Sequence, residues 1–217
     1  MANFGFSRLA VVAPYEEHWR EAKSAVGASD LLQNAKRVER LTKAVADCTL
    51  VIGTGTRAHR KPEQPVIPLP ELAPYVGAEL ARGGRVALVF GPEKRGLTRD
   101  DLSLCHHLVE IPTHPRQPSM NLGQAVAVCL YELAARAGNS VAAKDPVDIA
   151  KLVLSGELER LAAVVEKTML AANYSPAAMR EANRHDLRLL LRRVALTGQD
   201  ARRILGLFRR ILWRLER

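Results

Sequence analysis

Short runs of Val, Ile, Leu and Ala recur at Leu9–Ala13, Leu50–Ile52, Val86–Phe90 and Leu108–Ile111, with longer helix-compatible stretches between them. Runs of this length bounded by turn residues suit strands covered on both faces, and their alternation with helices predicts an α/β domain with a mainly parallel sheet. Each run stops at a turn signal: Pro14, Gly53-Thr54-Gly55, Gly91-Pro92 and Pro112. Ligands of open parallel sheets gather beyond the carboxyl ends of the strands, so a site is expected at these turns.

From Asn121 to Ala137 the apolar positions Leu122, Ala125, Val126, Cys129, Leu130 and Leu133 fall on one helical face, predicting a helix that closes the first domain. Gly138 to Asp145 is small and polar, and Asp145-Pro146 places a capping residue ahead of a proline suited to the first helical turn. The expected organisation is a domain over residues 1–138, a linker over 139–145 and a small all-helical domain over 146–217. Within the last, Ser175-Pro176 marks a second helix start and Thr197-x-x-Asp200 a cap before the final helix. Ile204, Phe208, Ile211 and Leu215 form the expected buried stripe of that helix, with Arg202, Arg203, Arg209, Arg210 and Arg214 around the remainder.

Composition narrows the class. The chain has 217 residues, 47% hydrophobic but only 5% aromatic, so the core must be built mainly from aliphatic side chains. No apolar run reaches the roughly 18 residues of a membrane span, and the N-terminus lacks a leader pattern, so a cytoplasmic protein is expected. Cys48, Cys105 and Cys129 are widely spaced and form no Cys-x-x-Cys pair, which suits reduced packing residues. The net charge of +9 favours a polyanionic partner, nucleic acid or an anionic membrane surface. Between Arg180 and Arg217 stand 11 arginines, no lysine and 4 acidic residues, so the positive charge is concentrated at the C-terminus.

The candidate chemistry lies in Leu88-Val89-Phe90-Gly91-Pro92-Glu93-Lys94-Arg95-Gly96-Leu97-Thr98, then Ile111-Pro112, then Ser119-Met120-Asn121-Leu122-Gly123-Gln124-Ala125-Val126. Singly, Gly91-Pro92-Glu93 reads equally as a strand-to-loop turn with a surface acid, and Ser119-x-Asn121 as a helix cap. In this order and spacing they resemble motifs two and three of the SpoU (TrmH) family of SPOUT methyltransferases. Gly5-Phe6-Ser7-Arg8-Leu9, Ala25-x-Gly27-Ala28 with Asp30, and Val51-Ile52-Gly53-Thr54-Gly55-Thr56-Arg57 are similar to its TrmJ subgroup, whose members methylate the anticodon loop of tRNA. The resemblance spans Met1 to about Ala137.

The resemblance implies a parallel sheet with a deep C-terminal trefoil knot, S-adenosyl-L-methionine (SAM) bound within the knot, a homodimer, and a tRNA substrate, with rRNA as the alternative. It implies a cofactor pocket from Thr54, Gly55, Thr56, Gly91, Ile111, Pro118, Ser119 and Met120, and catalytic positions at Glu93, Ser119 and Asn121. The family's first motif, N-x-G-x-x-x-R-A-M, would immediately precede Ala2-Asn3-Phe4-Gly5, with its arginine two positions before Met1 and its strand absent. Either the true start lies upstream, or the chain is a catalytically impaired relative that keeps the fold, the cofactor pocket and RNA binding. Met120 and Gly123 stand where the family has Leu and Ser, and the glycine is expected to loosen the helix start.

Three further groups bear on function. Cys105-His106-His107 invites a metal reading, but neighbouring residues on a strand point to opposite faces and no second cluster has zinc spacing, so no metal is expected. Gly53-Thr54-Gly55-Thr56 lacks the Gly-Lys-Ser/Thr ending of a phosphate loop. Arg57, Arg60 and Lys61 form either a solvated basic loop or a phosphate contact, and the same choice applies to Arg202, Arg203, Arg209 and Arg210. Exclusive use of arginine favours phosphate.

Overall fold

The computed structural model describes residues 1–14, 19–21, 27–55, 62–136, 152–174 and 176–217. Strands β1 (Ala10–Val12) and β2 (Lys36–Val38) pair in parallel, with Ala10 opposite Lys36. Strands β3 (Leu50–Thr54), β4 (Val66–Pro68), β5 (Val86–Val89) and β6 (His107–Glu110) form a second parallel sheet in the order β4-β6-β3-β5. The parallel α/β arrangement expected from the apolar runs is therefore present. Periodicity does not announce β2 and β4. Lys36-Arg37-Val38 is mostly polar and exposed, and Val66-Ile67-Pro68 is an edge strand ending in a proline that an inner strand would exclude.

Side chains alternate across β3, so Leu50 and Ile52 enter one core while Val51 enters another. The first core joins Leu50 and Ile52 to Leu72 and Val76 of helix α3 (Leu72–Ala81) and to Cys129, Leu130 and Leu133 of helix α5 (Leu122–Arg136). In the order of the chain these are preceded by α1 (Ser29–Gln33) and α2 (Leu41–Ala44) and separated by α4 (Arg99–Ser103). The second core gathers Val51, Val45, Cys48, Val89, Leu97, Cys105 and Leu108, with Leu41 and Ala44 of α2 and Leu102 of α4 packed against it.

The C-terminal helices α6 (Ser155–Ala171), α7 (Arg180–Arg193) and α8 (Gly198–Leu215) share a third core around Leu158, Leu161, Val165 and Leu191. They dock on the sheet domain: the Ser155 and Gly156 amides donate to the carbonyls of Cys48 at 2.8 Å and Ala46 at 3.0 Å. Thr197 caps α8 by accepting from the Asp200 amide at 3.1 Å. The stripe expected on α8 needs correction. Ile204 and Phe208 join the core, whereas Ile211 and Leu215 are 38% and 44% exposed. The cause is helix length: Leu152 bridges to Thr197 at the start, Thr168 lies beside Phe208, and α6 then ends at Ala171 while α8 runs on to Leu215. The last two turns of α8 have outrun their partner. Residues 139–145, the expected linker, lie outside the described residues.

Candidate functional site

Registers of Gly53 with Val89 and of Thr54 with Val109 set the carboxyl ends of β3, β5 and β6 side by side. The Thr54 hydroxyl donates to the Val89 carbonyl at 3.2 Å, and the Gly55 amide donates to the Val109 carbonyl at 3.3 Å. The end of β3 is thus pinned to both neighbours. Thr54 is half-buried and Gly55 exposed. Thr56, Arg57, Arg60 and Lys61, which follow, lie outside the described residues.

The loop after β5 folds back on itself. A Cβ at Gly91 would stand 2.2 Å from the Gly96 carbonyl carbon and 2.3 Å from the Leu97 nitrogen, so only glycine permits this approach. Gly96 has a φ of 64°, and its amide donates to the Pro92 carbonyl at 2.7 Å. Leu97 is buried in the second core, and Glu93 stands exposed on the turn between these anchors. Thr98 then begins α4 with a reciprocal cap: its hydroxyl accepts from the Asp101 amide at 3.1 Å, and its own amide donates to the Asp101 carboxylate at 2.9 Å.

The third loop runs from β6 to α5. Ile111, Pro118 and Met120 are half-buried, Ser119 is exposed, and the Thr113 hydroxyl donates to the Pro118 carbonyl at 3.3 Å. Asn121 joins this loop to the previous one. Its Nδ2 donates to Glu93 Oε1 at 2.9 Å, while its Oδ1 accepts from the Gly123 amide at 2.9 Å. The carboxamide can do both only in one orientation, so capping α5 also aims the amide at Glu93. A Cβ at position 123 would come within 3.3 Å of that Oδ1. Gly123 therefore leaves the capping carboxamide room at the helix start.

The buried titratable groups belong to the far end of the sheet. His106 is pushed down to about 3, first by burial and then by the Arg192 charge; its Nδ1 accepts from the Val51 amide at 3.1 Å. His107 opens β6, is lowered by burial, and pairs through Nε2 with the Tyr75 hydroxyl at 2.8 Å. Burial raises Cys105 to about 12 and Cys48 and Cys129 to about 11, leaving all three as protonated thiols. Among the described residues, one group has metal-like spacing: Glu63, His185 and Asp186. Glu63 already contacts His185 Nε2 at 3.4 Å and Arg99 at 3.8 Å.

The C-terminal arginines divide into two kinds. On α7, Arg184 pairs with Glu166 at 2.7 Å, while Arg188 and Arg192 both pair with Glu159 of α6, at 2.8 and 3.0 Å. Arg192 also donates to the Leu104 carbonyl at 3.0 Å and is buried, which lowers its affinity for its proton. On α8, Arg202, Arg203, Arg209 and Arg210 are all exposed. Arg210 and Arg217 lie over the Trp213 ring at 4.3 and 3.8 Å. Local pattern does not distinguish the arginines spent internally, because their acidic partners lie on other elements.

A parallel sheet with three loops gathered at the carboxyl ends of its strands, two of them joined by an acid–amide contact, defines a candidate cofactor site of the α/β type. The SpoU rRNA Methylase family matches residues 1–131, and the chain belongs to that family. Its relatives include the tRNA (cytidine/uridine-2'-O-)-methyltransferase TrmJ of Pectobacterium atrosepticum, 33% identical over 95% of this chain and 86% of that one. The tRNA (cytidine/uridine/adenosine-2'-O-)-methyltransferase TrmJ of Pseudomonas aeruginosa is 36% identical over 78% of this chain and 69% of its own. Among solved structures, TrmJ from Z. mobilis ZM4 superposes with a TM-score of 0.83 at 28% identity, covering 97% of this chain and 89% of that one.

Proposed function

We propose that this chain is a SAM-dependent tRNA ribose 2'-O-methyltransferase acting on the anticodon loop. The observation that carries the reading is the Asn121–Glu93 hydrogen bond, which joins the loops after β5 and β6 into one polar platform at the strand ends. The Pectobacterium and Pseudomonas relatives, both tRNA methyltransferases, favour tRNA over rRNA.

The residues present fit SAM. Gly91 lets the loop after β5 close on itself, Gly55 offers an exposed backbone, and Ile111, Pro118 and Met120 supply half-buried apolar surface suited to an adenine face. Thr54 and Ser119 add hydroxyls, and Thr56 is assigned to the same pocket. When bound, SAM supplies an electrophilic methyl group to the ribose oxygen. Glu93, held by Asn121, orients the attacking hydroxyl and accepts its proton as the oxygen–methyl bond forms, and the exposed Ser119 hydroxyl offers a further hydrogen bond. Arg57, Arg60 and Lys61, which follow β3 in the sequence, are assigned to RNA phosphates, as are Arg202, Arg203, Arg209 and Arg210 of α8.

We further assign a deep trefoil knot over the loops that surround SAM, domain limits at 138 and 146, a cytoplasmic location and a homodimer. The exposed side chains of Tyr75 and Leu80 on α3 and Tyr131 on α5 support the dimer by offering apolar surface to a second copy. No helix among the described residues is long and apolar enough to cross a membrane. Substituting Glu93→Gln tests the site. Methyl transfer to undermethylated tRNA is expected to fall about 100-fold with SAM affinity little changed. Unaltered transfer would remove Glu93 from the site.

A further inference from the structure

Helix α4 is five residues long, and three parts of the molecule meet on it. Its N-terminus is continuous with the Glu93 loop through the Thr98 cap. From the segment that precedes β4, the buried Gln64 donates through Nε2 to the Leu102 carbonyl at 2.7 Å. The C-terminal helices supply the third connection: Arg188 pairs with the Asp100 carboxylate, and Arg192 donates to the Leu104 carbonyl at 3.0 Å. Ser103, Leu104 and Cys105 are almost wholly buried, so the end of α4 cannot turn to water for its carbonyl partners.

So short a helix has little stability of its own, and its position is set by these outside contacts. The arginines are themselves held. Glu159 of α6 accepts from both Arg188 and Arg192, and the Arg192 Nη1 also donates to the Arg188 carbonyl at 3.2 Å. The result is a rigid charged network with one end in the C-terminal core and the other on the helix that anchors the Glu93 loop. We propose that Arg188 and Arg192 are positioning residues for methyl transfer, holding the Glu93 loop in place through α4 so that the C-terminal helices set the geometry at the strand ends. This rests on the assignment of Glu93 to the site.

The test is the double variant R188M/R192M in the full chain, followed by hydrogen exchange without RNA and by methyl transfer at saturating SAM. Amides from Glu93 to Leu104 are expected to exchange at least roughly tenfold faster, with those of β3 and α5 unchanged. The maximal transfer rate is expected to fall roughly tenfold while tRNA affinity stays within about twofold. Unchanged exchange over Glu93–Leu104 would overturn the proposal, and so would a full rate at saturating tRNA with weakened binding, which would make the arginines RNA contacts. If the double variant loses protection throughout, Arg192→Lys carries the same test, because it keeps the charge and loses the planar fork. Uniform loss in that variant too would leave the network a purely structural element and overturn the proposal. Exchange is read without transfer, so faster exchange over Glu93–Leu104 in the double variant, beside an E93Q variant that transfers methyl at the full rate, would fault the Glu93 assignment and not the coupling.

Discussion

Helices α7 and α8 are both rich in arginine, but they use it in opposite ways. On α7, Arg184, Arg188 and Arg192 are committed to Glu166, Glu159, Asp100 and the Leu104 carbonyl. On α8, Arg202, Arg203, Arg209 and Arg210 are exposed, and the helix runs past the end of α6 so that its last turns stand clear of the core. Net charge by itself therefore overstates the surface available to a polyanion. Part of the C-terminal excess builds the protein, and Arg202, Arg203, Arg209 and Arg210 of α8 stand exposed.

The largest effect that would break this contrast is on stability. Arg192→Met leaves Glu159 with Arg188 alone and the Leu104 carbonyl without its donor, and it is expected to cost about 3 kcal/mol in chemical denaturation. A change below about 0.5 kcal/mol would mean that the buried network is energetically idle. Replacing Arg202, Arg203, Arg209 and Arg210 together by Gln is expected to leave stability within about 0.5 kcal/mol of the parent. The same change is expected to weaken tRNA binding roughly tenfold or more and to reduce the logarithmic salt slope by about 3. A large loss of stability with an intact salt slope would reverse the assignment of the two helices.

The effect that is smallest at neutral pH, and grows only on acidification, is a pH dependence that reports on Arg192 from beneath. His106 is held neutral in the fold, with its value lowered to about 3, so the unfolded chain binds the extra proton at higher pH. Its contribution to stability is complete above the ordinary histidine value near 6.5 and is lost as pH falls from there toward 3. The slope is about 1.4 kcal/mol per pH unit. His106→Asn, which keeps an acceptor for the Val51 amide, is expected to flatten the stability profile across that window. An identical profile would place the histidine elsewhere in the balance.

Much of this was readable in the chain. The apolar runs at Leu50–Ile52 and Leu108–Ile111 became the two inner strands, β3 and β6, because strands covered on both faces must be continuously apolar, and Val86–Phe90 became the edge strand β5 beside β3. Their glycine-containing turns marked the strand ends where Glu93 and Asn121 meet. β2 and β4 stayed hidden because three-residue edge strands of Lys, Arg and Pro carry no periodic signal. The contact between Glu93 and Asn121 spans 28 positions, and that between Arg188 and Asp100 spans 88, separations over which local pattern says nothing. Ile211 and Leu215 misled for a related reason: an amphipathic face predicts burial only where a neighbouring helix is long enough to cover it.

The assignment as a whole meets its most direct test in one measurement. The chain is incubated with undermethylated tRNA and SAM labelled on its methyl group, and the tRNA is then digested to nucleosides and dinucleotides. Label on a ribose 2'-oxygen of an anticodon-loop nucleotide is the expected result. Label on a base, or tRNA that binds the chain and carries no label, would contradict it.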